Sequence, residues 1–144
     1  MGRRNSELAL LATTIVIAHV VVFIWHLYIA ANIPPGLPSV QILIVAIAIN
    51  AAPVIGLILL LQIYRLAAIL IFPPMALTFA IGAFEHFASV GPNSVFGVPA
   101  SAWASSFRAT AVLLIILELL GCWIGARSWM LQTRERTRSV QDIS

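Results

Sequence analysis

Apolar residues fill this chain in four long runs, and the polar residues between them mark where each run stops. The first run covers residues 8–31 and ends at Asn32-Ile33-Pro34-Pro35-Gly36, which cannot continue a helix. The second covers residues 39–62, the third 66–87 and the fourth 104–129. Each is longer than the roughly 20 residues that cross about 30 Å of hydrocarbon as a helix. Helices rather than strands follow, because a segment in lipid must satisfy every backbone group within itself. The expected fold is all-α: an integral membrane antiparallel four-helix bundle formed by residues 1–144 as a single transmembrane domain.

The boundary between the second and third runs is the least marked. Residues 40–87 are nearly unbroken, and the one polar cluster is Gln62-Ile63-Tyr64-Arg65, so the break is expected there. Pro73-Pro74 competes, but a helix starting at those prolines is too short to reach Phe87 across the core. Pro73-Pro74 is instead read as a kink in the third helix, and Pro53 as one in the second. No internal repeat relates the two halves.

Composition agrees with this reading. Of 144 residues 61% are hydrophobic and 9% charged, against about 25% charged in soluble domains, which is too little polar surface to solvate a globule. The net charge of +3 does not point to nucleic acid, because most arginines flank the apolar runs. With the N-terminus inside, Arg3, Arg4, Arg65, Arg127, Arg134, Arg136 and Arg138 are cytoplasmic and Arg108 alone lies outside. Both termini are then cytoplasmic, residues 130–144 form a basic tail beside anionic lipid, and residues 88–103 form the longer outer loop. Val95, Phe96 and Val98 suggest that this loop folds back over the mouth of the bundle. The expected location is the cytoplasmic (inner) membrane of a bacterium, with the lipid bilayer as the main partner. Met1-Gly2-Arg3-Arg4-Asn5-Ser6 matches a myristoylation pattern, though a lipid adds little beside a spanning helix. The lone Cys122 excludes an internal disulfide.

Ionisable side chains at membrane depth are costly and turn toward the bundle interior or water. At the 1.5 Å rise of a helix, His19, Asn50 and Glu118 each lie roughly 16–21 Å from the outer ends of their helices, near the bilayer midplane. Thr78 lies slightly nearer the outside. This midplane group reads either as a proton-carrying pair, His19 with Glu118 and Asn50 as a neighbour, or as a polar network that fixes helix packing. His19 and His26 are seven apart and share a face, as do Glu118, Gly121 and Gly125. Gly121 and Gly125 form a GxxxG, which lets helices approach closely.

A second group, His26, Glu85, His86 and Arg108, lies at the outer rim. Two imidazoles and a carboxylate suit zinc or iron, and His26 with His86 suits a b-type haem. Against these, Trp25, Leu27, Phe84 and Phe87 crowd the histidines, and adjacent residues on one helix diverge by about 100°. The simplest reading of Glu85 is an ion pair with Arg108. The chain contains no GxSxG, P-loop, HExxH or CxxC, so no catalytic residue is assigned.

The run Phe84-Glu85-His86-Phe87, then Gly91-Pro92-Asn93-Ser94-Val95-Phe96, then Thr110-Ala111-Val112-Leu113-Leu114 with Glu118 and Gly121, resembles small bacterial four-span integral membrane proteins of unassigned function. The resemblance covers the second half of the chain and implies that the outer loop and Glu118 belong to one structural unit. Three functions are compatible with these residues. The first is a non-enzymatic accessory or self-associating membrane component without a cofactor. The second is a small proton- or ion-linked transporter using His19, Asn50 and Glu118. The third is a redox protein with haem or quinone near His26 and His86.

Overall fold

A computed structural model describes residues 3–34, 36, 39–59 and 64–141. Among the described residues there is no strand, and the helices are α1 (Arg3–Ala31), α2 (Val40–Leu59), α3 (Tyr64–Ala83) and α4 (Ala104–Gln141). α3 runs directly into a π-helical turn, Phe84–Ala88. Among those residues four segments are long and apolar enough to cross a membrane: Glu7–Ala31, Ile42–Leu59, Ala67–Ala88 and Ala104–Met130. The protein is a multi-pass transmembrane helical bundle. The break expected at residues 62–65 falls partly on residues 60–63, outside the described residues, and α3 begins at Tyr64. Pro53 lies inside α2, and Pro73 and Pro74 lie inside α3, without ending either helix.

α4 is the central element, packed on both α3 and α1, while α2 leans on α3 and meets α1 only lightly. Lipid tails are as apolar as leucine, so close fit rather than burial from water holds such helices together. The fit is tightest at glycines. A Cβ added to Gly125 would stand 2.6 Å from Phe72 Cβ, and one on Gly121 would stand 2.9 Å from Met75 Cγ. Gly56 plays the same part between α2 and α3, where an added Cβ would stand 2.9 Å from Ile71 Cγ1. Gly121 and Gly125 thus face α3, on the interface their spacing suggests.

Three layers of buried apolar side chains run along the bundle. Leu8, Ala12 and Ile15 meet Ala67, Leu117 and Ile124 at one end. Val16, Ile71 and Met75 fill the middle. At the other end Ile29 and Ile33 pack on Val98, Ala104 and Phe107. The last turns of α1 therefore lie against the first turns of α4.

The segment between Ser89 and Trp103 is tied back to the helices. Ser89 N–H donates to the Phe84 carbonyl at 2.7 Å, closing the wide turn, and Val95 N–H donates to the His86 carbonyl at 2.9 Å. Ser94 is buried and accepts the amides of Gly97 and Val98 on its carbonyl. Gly97 has no room for a side chain, since an added Cβ would collide with the Gly91 carbonyl. Val95 and Val98 are buried, as a loop folded over the bundle end requires, whereas Phe96 is 80% exposed and points away.

Candidate functional site: a polar-floored cavity between the helices

His19 on α1 and Glu118 on α4 meet inside the bundle, with Nε2 and Oε1 3.4 Å apart. Both are nearly sealed, at 1% and 5% exposure. The contact is long for a hydrogen bond, but no water-facing surface is left to compete with it. With one proton between them the pair carries no net charge, either as imidazole with carboxylic acid or as imidazolium with carboxylate. That economy suits a membrane interior, where an isolated charge is expensive. The far side of each group is unsatisfied: His19 Nδ1 and Glu118 Oε2 have no hydrogen-bond partner.

Glu118 lines a cavity of about 180 Å³ that also reaches Asn50, Thr78, Gly82, His26 and His86. Asn50 on α2 is buried, and its Nδ2–H donates to the Ala46 carbonyl one turn back at 2.8 Å. That bond fixes the amide orientation and leaves Asn50 Oδ1 without a partner. Thr78 Oγ1 lies 3.1 Å from the carbonyls of both Pro74 and Met75, so its proton is used within α3. Gly82 opens the space between floor and rim: a Cβ added there would stand 3.6 Å from Glu118 Oε2 and 4.0 Å from His86 Cδ2. The midplane group of the sequence is thus brought to one place, His19 and Glu118 by contact and Asn50 across the cavity. Apolar side chains such as Phe23, Val45, Ile49 and Ile115 make the walls.

At the rim, His26 Nδ1 lies 2.8 Å from Thr110 Oγ1. The Thr110 hydroxyl proton is taken by the carbonyls of Ser106 and Phe107, at 2.9 and 3.0 Å. His26 is therefore the donor, and its Nε2 keeps a lone pair. His86 Nδ1 lies 2.8 Å from the Asn93 carbonyl, which can only accept, so His86 has the same tautomer. Within the π-helical turn His86 lines the cavity while its neighbour Glu85 stays exposed. Such turns recur at functional sites.

The two histidines do not stand opposed as the two ligands of one haem iron would. Imidazoles on opposite faces of one metal, at about 2.0 Å each, point at one another with centroids about 6 Å apart. His26 and His86 sit 5.0 Å apart, edge to face at 72°. Phe107 closes the cluster, with its ring 4.8 Å from His26 and 5.5 Å from His86. Among the described residues no three His, Cys, Asp or Glu side chains gather where a metal ion could be held. Nor does Arg108 serve Glu85. Its Nε–H donates to the Val95 carbonyl at 2.9 Å, tying α4 to the loop, and among the described residues no ion pair joins the two.

Phe107 and Gly82 were not singled out in the sequence, and Thr110 figured there only in the run that carries the resemblance. Thr110 had a signal: His19 and His26 step by seven on α1, and Glu118 and Thr110 step by eight on α4. Both steps span about two helical turns, so two facing helices bring both pairs into register. Gly82 and Phe107 carry no such mark. Compared with known proteins, the chain matches no family model, no curated protein and no solved structure.

Proposed function

We propose that this protein is a small proton-linked carrier of a bacterial cytoplasmic (inner) membrane. In this reading it is an antiparallel four-helix bundle with both termini cytoplasmic, and its cavity opens toward the outer loop. The antiparallel arrangement draws support from the contact of the end of α1 with the start of α4, and of Phe72 and Met75 with Gly125 and Gly121. The orientation rests on the placement of the arginines.

One observation carries the function. Glu118 places one oxygen on His19 and leaves the other buried without a partner, and it lines one cavity with Asn50, whose amide oxygen is likewise buried and unpartnered. A network that served packing alone would satisfy those atoms, because an unpaired buried polar group costs about 1–3 kcal/mol. A site that loads and unloads a proton or ligand keeps them open. A chain this small encloses a complete pathway by self-association.

The test is proton flux in proteoliposomes. A pH gradient should collapse faster with wild-type protein than with Glu118→Gln, and equal leak in both would end this reading. An accessory role remains the second reading, favoured by the light contact between α1 and α2, a seam where a partner's helix can lodge. It predicts co-purification of another membrane subunit in mild detergent, and a stable partnerless chain counts against it.

A further inference from the structure

The polar groups around the cavity share one property. Asn50 Oδ1 and Glu118 Oε2 have no partner, and both residues are more than nine-tenths buried. Thr78, also in the lining, spends its proton on its own helix and keeps its lone pairs. His26 and His86 spend their Nδ1 protons on Thr110 and Asn93, leaving Nε2 lone pairs on the neutral rings. Five residues, one from each helix and one from the π-helical turn, thus offer acceptors, and one of the five carries a carboxyl group. A ligand that fits must bring donors. A quinone or other carbonyl compound brings acceptors and meets the same sign of partial charge on every side.

The cavity also sets a size. An engineered apolar cavity of about 150 Å³ in another protein takes up benzene, and this one holds about 180 Å³. Its walls are aliphatic and aromatic, so the body of the ligand is apolar and about one ring in size. The donor end is cationic by charge balance. In its one-proton state the His19–Glu118 pair is neutral, and a neutral donor would leave that proton in place without using the carboxylate. An ammonium that enters as the proton leaves keeps the bundle interior neutral.

We infer that the cavity binds a small primary amine with an apolar body of about one aromatic ring, as the ammonium, in exchange for the proton of the His19–Glu118 pair. This rests on the carrier reading above and supplies its substrate class. The exchange balances. The neutral pair plus one ammonium gives a carboxylate–ammonium pair beside a neutral imidazole, and one proton goes to solvent. No covalent bond to carbon forms or breaks. A primary ammonium has three N–H donors, matching the acceptors of Glu118, Asn50 and Thr78 in number. The titratable groups around Glu118 are His19 and His26 from α1, His86 from the π-helical turn and Cys122 one turn along α4, while α2 contributes the uncharged Asn50. Protonation of the rim histidines turns acceptors into donors and repels the cation, so binding weakens as they become charged.

The experiment is calorimetric titration of the full-length protein in lipid nanodiscs with benzylammonium, beside benzyl alcohol as the neutral donor of similar shape. Benzylammonium should bind at least tenfold tighter than benzyl alcohol and release about one proton per molecule into weak buffer. Glu118→Gln should weaken the amine at least tenfold and abolish proton release. Since that variant also alters the buried pair, Gly82→Val provides a second arm. Its Cβ has room and its methyls enter the cavity, so binding should fall while the melting temperature holds. Equal affinity for amine and alcohol, or amine binding untouched by both substitutions, overturns the inference. Flux that depends on Glu118 without amine binding overturns the ligand class and leaves the carrier reading standing. Amine binding with proton release but no flux does the reverse.

Discussion

His26 and Thr110 are joined across the bundle by a hydrogen bond of 2.8 Å, made possible because Thr110 gives its own proton to the turn behind it. Thr110→Val keeps the shape and removes the acceptor, leaving His26 Nδ1–H buried with nothing to bond. Side-chain bonds between membrane helices are worth about 0.6 kcal/mol on average and up to about 1.7. Thr110→Val should lower stability by about 1–2 kcal/mol, with Thr110→Ser near wild type. Unfolding in mixed micelles measures both, and equal loss in the two variants would contradict this assignment.

Gly121 and Gly125 should differ although they belong to one motif. An alanine Cβ at position 121 meets Met75 Cγ and Sδ, the flexible part of a side chain that can swing aside. At position 125 it meets Phe72 Cβ at 2.6 Å and the Phe72 backbone N and Cα at 2.9 Å, which cannot. Gly125→Ala should therefore cost about 1–3 kcal/mol by overpacking and Gly121→Ala clearly less. A melting series in detergent would show the reverse order if the α3–α4 contact were drawn wrongly.

Much of this architecture was legible because membrane insertion makes demands that composition can reveal. Length and apolarity located four helices, and counting rise from the helix ends placed His19, Asn50 and Glu118 at one depth. The cavity between them was not legible, since it depends on how lightly α2 meets α1, and aliphatic side chains there read the same whether they face lipid or a void. The π-helical turn was hidden too. The widened turn at Phe84–Ala88 leaves no mark in an apolar sequence. The expected pairing of Glu85 with Arg108 followed from similar height alone. It missed that an unpaired loop carbonyl, that of Val95, lies nearer to the guanidinium.

The link from His86 to the loop uses the main chain of Asn93, not its side chain. Asn93→Ala should accordingly leave the loop in place. His86→Leu removes the donor and leaves the Asn93 carbonyl to solvent. The loop then hangs on the Val95 amide and the Arg108 bond. Hydrogen exchange at Val95 and Val98 should accelerate in His86→Leu and stay unchanged in Asn93→Ala, and acceleration in both would mean that the Asn93 side chain holds the loop after all.

The buried pair allows stability and function to be pulled apart. His19→Leu leaves Glu118 with no partner on either oxygen, and Glu118→Leu strands His19 on both nitrogens. Each single change should cost stability, because a polar group stripped of its partner keeps its desolvation penalty. Replacing both by leucine removes the penalty together with the bond. Buried polar pairs are often no more stabilising than hydrophobic residues of similar volume. The double variant should therefore unfold at or above the wild-type midpoint, while each single falls below it. Proton flux should vanish in all three. A double variant that is markedly less stable than wild type would assign the pair to packing. One that is stable but inert would show that these two residues are kept for the proton they hold.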